Sequence, residues 1–147
     1  MATSNAATTY LENKLLSFLF KNNAGSFATP GNSIYVGLAT AVSDAEAGSL
    51  TEVNTSTQDA NYTRQQVNAA GWTLASSSTD QQTVTNAANI EYSASSGVAT
   101  YTVTHAFVAD AATSGNILFV GALDASKAIA SGDIFRINAG NLTIELK

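Results

Sequence analysis

The residue whose type best suits acid–base chemistry is His105, the only histidine in the chain. Hydrolytic catalysis needs an activated nucleophile with a base, a pair of carboxylates or a bound metal, and none of these has a recognisable local pattern here. A single histidine also excludes zinc sites built from several histidines. Because His105 lies in a threonine-rich segment, we interpret it as a structural side chain bonded to a neighbouring hydroxyl or backbone group.

Three aspartates, Asp110, Asp124 and Asp133, fall in segments that are predicted to be turns. Short polar side chains in turns ordinarily hydrogen-bond to nearby backbone. A calcium loop would need the spacing Asp-x-Asp-x-Asp-Gly, which is absent. The chain has no cysteine, so disulfides and thiolate metal sites are excluded. We therefore expect no catalytic residue, no cofactor-binding residue and no metal ligand, and we expect that the protein is not an enzyme.

Other motifs carry little chemical information. Asn-x-Ser/Thr sequences begin at Asn54, Asn61 and Asn141, but such matches arise by chance in a chain rich in Asn and Thr, and the N-terminus lacks the pattern of a secretory signal. Trp72 and the tyrosines could stack on a sugar, although aromatic side chains of a β domain more often lie in the core or on a sheet face. A carbohydrate-binding module is therefore a minor alternative.

Charge and composition limit the class of partner. Charged residues make up 12% of the 147 residues, about half of the roughly 25% that is usual. The net charge is −5 and the six basic residues are scattered, so the chain lacks the basic cluster that nucleic-acid binding requires. No apolar run approaches the ~20 residues needed to cross a bilayer. A surface with so few charges favours permanent packing against other proteins.

An amphipathic helix is predicted from Thr9 to Lys21. Apolar side chains recur at i, i+4, i+7 and i+8 from Leu11, and Thr9 followed by Glu12 has the spacing of a capping box. Asn22, Asn23 and Gly25 then supply a stop signal.

The apolar stripe of this helix is wider than one face. A helix of about three turns is marginal alone, and the predicted strands can fill a core without it. We therefore expect the helix to provide a main contact, either with sister subunits or with another protein. The alternative is that it closes the open end of the β domain and buries the same residues. The side chains expected at the contact are Leu11, Leu15, Leu16, Phe18, Leu19 and Phe20.

After Pro30 and Gly31 the apolar period changes from 3.6 to 2, which predicts strands. Residues 40–61 are predicted to form a long loop. The last two strands are predicted to form a hairpin around Ala139 and Gly140. The predicted strands are 34–39, 62–68, 72–75, 82–85, 89–92, 98–109, 116–123, 134–138 and 142–146.

These strands predict a mainly β fold: an antiparallel β-sandwich or jelly-roll-like domain with one N-terminal α-helix. A single domain is expected over residues 1–147, with a helical segment at 1–25 and the sandwich at 33–147. Within the strand at 98–109, alternation places Tyr101, Val103, His105 and Phe107 on one face. The predicted core is Ile34, Val36, Leu38, Val103, Phe107, Ile117, Phe119, Ile134, Ile144 and Leu146.

Several segments together resemble a family of small tailed-bacteriophage virion proteins, commonly labelled phage tail fibre proteins and similar to capsid cement proteins. The closest likeness is Gly-Asp-Ile-Phe-Arg-Ile-Asn-Ala-Gly-Asn-Leu-Thr-Ile at 132–144. The order and spacing of the segments carry the resemblance, which spans nearly the whole chain. The other segments are 10–16, 33–40, 51–53, 62–65, 86–90, 102–105, 110–112 and 116–123.

The resemblance implies a structural component of the virion that is assembled in the host cytoplasm. We favour a capsid decoration (cement) protein that bridges major capsid subunits, because the chain is short and lacks the repeats or heptads of a fibre shaft. The alternative is a tail-fibre or neck-fibre component. The major capsid protein or other virion proteins are the expected partners, whereas nucleic acid and membrane are not. We expect a homotrimer, with a dimer as the alternative.

Overall fold

The computed structural model describes residues 6–21, 34–76 and 82–146. Within these ranges the chain is mainly β, with one α-helix, α1 (Thr9–Lys21), and one short 3-10 helix (Ala69–Gly71). The bounds of α1 are those predicted, whereas the predicted stop signal and the Pro30-Gly31 pair lie outside the described residues. The strands are β1 (Ala6–Ala7), β2 (Tyr35–Asp44), β3 (Ser49–Glu52), β4 (Gln65–Gln66), β5 (Trp72–Ser76), β6 (Gln82–Asn86), β7 (Ile90–Glu91), β8 (Tyr101–Ala109), β9 (Ile117–Ile129), β10 (Arg136–Ile137) and β11 (Thr143–Leu146).

The strands pair antiparallel in three sheets. The large sheet has the order β1-β9-β8-β2-β3, with β4 also pairing with β2. A three-stranded sheet has the order β11-β6-β5, and β10 pairs with β7. Curled antiparallel sheets with one helix confirm the predicted fold class, a mainly β, sandwich-like architecture.

The core divides into two clusters of buried side chains. The first contains Val36, Leu38 and Val103 together with the rings of Tyr62 and Tyr92. The second is smaller and includes Ala39, Phe107, Ala109 and Val120. Strands β2 and β8 contribute to both clusters because successive residues of a strand point to opposite faces of the sheet. The centre of the large sheet is therefore covered on both faces.

Alternation along β8 does not hold as predicted. Tyr101 and Val103 belong to the first cluster, whereas Phe107 belongs to the second, so the four residues predicted to share one face do not pack together. The change of face coincides with an irregularity near Thr104, where the pairing with β9 moves from Val103–Lys127 to His105–Ala122. Four residues of β9, 123–126, are thus opposite a single residue of β8. Such a bulge bends the strand and changes which side chains face inward.

The predicted loop at 40–61 is wrong over its first half. Strand β2 extends to Asp44, a tight turn contains Gly48 at a φ of 68°, and β3 returns antiparallel to β2. The residues looked loop-like because β3 lies at the edge of the sheet, with Ser49 and Thr51 exposed to solvent. A polar edge strand gives only a weak period of 2.

The predicted C-terminal hairpin is also wrong. Strand β10 pairs with β7 and β11 pairs with β6, so the two segments belong to different sheets. The turn between them is held by Asn86, whose side chain is buried and whose Nδ2 donates to the carbonyl of Asn138 at 2.9 Å. Its Oδ1 accepts from the N–H of Leu142 at 2.9 Å. A contact between residues more than 50 positions apart thus replaces the local hairpin.

Smaller differences concern strand ends and the predicted core. The segment 62–68 contains only the two-residue strand β4, and β8 begins at Tyr101 rather than at residue 98. Val36, Leu38, Val103 and Phe107 are buried as predicted. Ile34, Ile117, Phe119 and Ile144 are half-buried, Ile134 is exposed, and the side chain of Leu146 lies outside the described part of the chain.

Candidate contact surface

The helix α1 is anchored to the large sheet through Thr8, the residue that precedes it. Strand β1 pairs with β9, and the N–H of the buried residue Thr8 then donates to the carbonyl of Leu118 at 2.9 Å. The Thr8 hydroxyl donates to the carbonyl of Ile117 at 2.6 Å and lies 3.4 Å from the N–H of Leu11. Thr8 therefore caps the helix, one residue earlier than the predicted cap Thr9. The start of α1 is fixed relative to the sheet.

Beyond this anchor, α1 buries none of its residues. Of the six side chains predicted to make a contact, Leu11 is half-buried, and Leu15 and Phe18 are exposed to a moderate extent. The other three are more exposed, at 54% for Leu16, 60% for Leu19 and 78% for Phe20. Residues at i, i+3 and i+4 are neighbours on a helix surface. Leu16, Leu19 and Phe20 therefore form one apolar patch, here called the outer face of α1.

An apolar groove lies between the three-stranded sheet and the large sheet, with a volume of about 350 Å³. On one side the register aligns Leu74, Val84 and Ile144 in a row across β5, β6 and β11. On the other side Val108 is paired with Phe119. Leu118, whose carbonyl anchors α1, also lines this groove. Leu74 is 71% exposed although it faces the interior of the sandwich, which indicates that the groove is open.

His105 has a structural environment of the kind predicted. Its Nδ1 lies 2.8 Å from the Thr104 hydroxyl. Burial lowers the pKa of His105 below its usual value, so the ring is neutral at pH 7. Within the described ranges, no three His, Asp or Glu side chains lie together in a way that could hold a metal ion.

Two of the three aspartates lie in turns, as predicted. Asp110 accepts hydrogen bonds of 2.7 Å from the backbone N–H and from the side-chain Nδ2 of Asn116, and Asp133 accepts from the N–H of Ala130 at 2.9 Å. The prediction was wrong for Asp124, which lies within β9 in the segment that bulges opposite Thr104. An insertion in a strand resembles a turn in sequence because both are rich in small and polar residues.

The aromatic residues are used mainly in packing. Trp72 is half-buried against the first core cluster, and its Nε1–H donates to the carbonyl of Val67 at 3.3 Å. The rings of Tyr62 and Tyr92 stack with centroids 6.0 Å apart, and both residues are buried. These two tyrosines are therefore not available to stack on a sugar.

A buried ionic cluster was not identified from the sequence. Arg64 donates from Nε and Nη2 to the two carboxylate oxygens of Glu52, at 2.9 and 2.8 Å. Its Nη1 donates to the carbonyls of Ala111 and Ser114, both at 2.8 Å, and its guanidinium lies 5.0 Å from the centroid of the Phe107 ring. The hydrogen bonds to Glu52 raise the pKa of Arg64. The available signal in the sequence was that Glu52 and Arg64 lie in segments 51–53 and 62–65, both of which resemble the phage virion family.

A second polar cluster surrounds Asp59. Its carboxylate accepts hydrogen bonds from the N–H groups of Asn61 and Ser96, at 3.0 and 2.9 Å, and from the hydroxyl of Tyr101 at 2.9 Å. Burial raises the pKa of Asp59, but these hydrogen bonds outweigh burial and hold the pKa below its ordinary value. The cluster ties the loop after β3 to the start of β8.

Comparisons with known proteins give one finding. A family model described as podophage GP4 fiber I protein gp80 matches residues 6–145, which is nearly the whole chain. A search of curated proteins finds no match. No helix among the described residues has the length and apolar character needed to span a membrane.

Proposed function

Because the chain belongs to the family of the podophage GP4 fiber I protein gp80 and is a phage structural protein, we propose that it is a fibre component of the virion. The description of the family carries this proposal, since it names a fibre. The described fold is compatible with such a role, because it leaves most of α1 exposed and available for contact with a neighbour.

We further propose that the outer face of α1 is a contact surface of this protein. A single exposed leucine is ordinary on a protein surface, but three adjacent large apolar side chains on one helix face form a contiguous patch. The other residues of α1 add little burial of their own, and a short helix gains most of its stability from packing. Contact with a protein neighbour in the virion would cover this patch and stabilise the helix.

The proposed role is not enzymatic. The Thr104 hydroxyl that lies next to the neutral His105 also donates to the backbone carbonyl of Ala39 at 3.4 Å, as a hydroxyl with a structural role does. Asp110 and Asp133 are occupied with turn backbone or with Asn116. These observations support a protein that acts through binding.

Capsid decoration is the second candidate function. It is favoured by the length of α1, which at 13 residues spans less than two heptads and is too short for a coiled-coil shaft. A cement protein would bridge major capsid subunits on the outside of the shell, with oligomer symmetry matched to its position.

The copy number in purified particles tests both candidates. Quantitative mass spectrometry of the virion would give a few to a few dozen copies for a fibre component and hundreds for a cement protein. Labelling with a tagged antibody fragment and electron microscopy would then locate the copies on the tail, the neck or the shell. A particle that contains no copies would contradict both proposals.

A further inference from the structure

We propose that the outer face of α1 in one copy inserts into the apolar groove of a second copy, so that the protein assembles through helix–groove contacts. This inference deepens the proposed contact role of α1 by naming its partner, and it rests on that role. The groove is the surface defined above by Leu74, Val84, Ile144, Val108, Leu118 and Phe119.

The spacing of the exposed side chains suits a groove. Leu16, Leu19 and Phe20 are at i, i+3 and i+4, the spacing with which amphipathic helices place their anchors in hydrophobic grooves. They are also the most exposed apolar side chains of α1. Leu11 is half-buried, and Phe20, nine residues and thus about two and a half turns later, lies on the opposite side of the helix. The outer face therefore points away from the copy that carries it.

The capacity of the groove matches this face. A cavity of ~150 Å³ lined by apolar side chains can hold a benzene molecule. The groove has about 350 Å³, which is room for roughly two large apolar side chains on the same scale. A whole helix, ~10 Å in diameter, would not enter. We therefore expect the helix to lie across the opening of the groove and to insert side chains such as Leu16 and Phe20.

The position of the helix anchor indicates why the partner is a second copy. Thr8 binds the carbonyl of Leu118, so α1 begins beside one wall of the groove in its own chain. When two copies lie side by side, each helix can therefore start at its own groove and reach the neighbouring one. Each copy supplies one helix and one groove, so a closed symmetric arrangement covers every apolar surface of this kind. The described residues that line the groove are all apolar, so they match the apolar outer face of α1.

Two substitutions test the contact from its two sides. Phe20→Glu places a charge on the outer face of α1, and Leu74→Glu places a charge in the groove. Both residues are largely exposed, so folding should be retained, as circular dichroism and thermal melting would show. In sedimentation equilibrium the wild-type chain should associate, and each variant should raise the dissociation constant at least about 100-fold, as expected for a buried apolar anchor.

Thr73→Glu is the matched control for the groove. Thr73 is the neighbour of Leu74 on β5 and is exposed, but its side chain points to the opposite face of the sheet. The same charge at this position should leave the dissociation constant within about twofold of the wild-type value.

Mixing the two variants identifies the contact itself. The Phe20→Glu chain keeps an intact groove and the Leu74→Glu chain keeps an intact helix, so a mixture should form 1:1 pairs although each variant alone is monomeric. Failure of the mixture to pair would overturn the inference. A monomeric wild-type chain at micromolar concentrations would overturn it as well.

The same measurements separate this inference from the proposed contact role. If Phe20→Glu weakens association and Leu74→Glu does not, α1 is a contact surface whose partner is not the groove, and only the inference fails. If Phe20→Glu changes neither association nor incorporation into particles, the contact role fails too. The fibre or capsid position is measured on particles and stays independent of both results.

Discussion

The backbone N–H of Leu38 donates a hydrogen bond of 2.9 Å to the hydroxyl of Tyr62. The N–H of Leu38 faces the side of β2 on which β4 and β3 pair. Pairing with β4 ends at Val36, and pairing with β3 begins at Ala39. The N–H of Leu38 thus falls in a gap between two partner strands, and a side chain replaces the missing backbone acceptor. The Tyr62 hydroxyl in turn donates to Glu52 at 2.8 Å, which connects the gap to the buried ion pair.

Tyr62→Phe should destabilise the protein by about 1–3 kcal/mol, because it leaves the buried N–H of Leu38 without this acceptor. Urea denaturation followed by tryptophan fluorescence would measure the free energy of unfolding. Tyr10→Phe is the control, since Tyr10 lies on the exposed surface of α1 and should change stability by less than about 0.5 kcal/mol. Equal effects of the two substitutions would contradict the role assigned to the Tyr62 hydroxyl.

Arg64→Lys should cost about 1–3 kcal/mol although the charge is kept, because a lysine cannot reproduce the planar fork that binds Glu52 and the two turn carbonyls. The Arg64 side chain is only 6% exposed. Arg136→Lys is a matched control, since Arg136 pairs with Glu91 and both side chains are about half exposed. That substitution should cost less than about 1 kcal/mol. A larger loss of unfolding free energy at Arg136 than at Arg64 would refute this account.

Gly37→Ala should destabilise the protein by about 1–3 kcal/mol or more through overpacking. A Cβ atom at Gly37 would lie within 2.7 Å of three atoms of the buried Phe107 ring. Gly121→Ala is the control, because a Cβ atom at Gly121 meets no atom within 4 Å, and it should be neutral or stabilising by up to about 1 kcal/mol. Adding Phe107→Leu to Gly37→Ala should recover part of the loss if the ring is the obstacle, and thermal melting would show the recovery.

The stability contributed by Asp59 should depend on pH with a definite sign. Its pKa in the folded protein lies below the ordinary value of 3.8, so the unfolded chain takes up a proton first as pH falls. The contribution is present at pH 7 and is lost as pH falls below about 3.8 toward the lower folded pKa. Asp59→Asn should therefore cost about 1–3 kcal/mol at pH 7, and the difference from wild type should shrink below pH 4 in denaturation series. A difference that grows on acidification would show that the carboxylate is not stabilised as described.

His105→Gln should change stability and reveal no turnover. Glutamine can keep a hydrogen bond to Thr104, so we expect a loss of at most about 1–2 kcal/mol in unfolding free energy. Polysaccharide and nucleic-acid substrates incubated with the wild-type chain, with and without divalent metals, should remain intact. A reaction that disappears in the His105→Gln protein would overturn the non-enzymatic proposal.

The parts of the fold that could be predicted from the sequence are those set by local patterns. The bounds of α1 follow from apolar spacing over 13 residues, and the central strands follow from alternation at Val36, Leu38 and Val103. The C-terminal hairpin could not be predicted correctly, because Asn86 fixes the turn from more than 50 residues away. The turn around Ala139 and Gly140 was predicted correctly from its residues, but the pairing of its two flanking strands was not.

The candidate contact surface shows the same division. The six side chains could be predicted from the sequence because an over-wide apolar stripe is a local property of the helix. The apolar groove could not be predicted, since its walls come from three strands of one sheet and two of another. The pairing of Glu52 with Arg64 also depends on the return of the chain beside β2, which no local period encodes.

The bulge in β9 bears on how copies of the chain interact when they are concentrated. Strand β9 runs from Ile117 to Ile129, and on its outer side β1 pairs with it at Phe119 and Val120. A long, straight strand near the edge of a sheet can act as a template for cross-β growth when many copies are concentrated on one particle. The four inserted residues opposite Thr104 interrupt this template. We therefore expect this irregularity to limit strand pairing between copies before they are built into the virion.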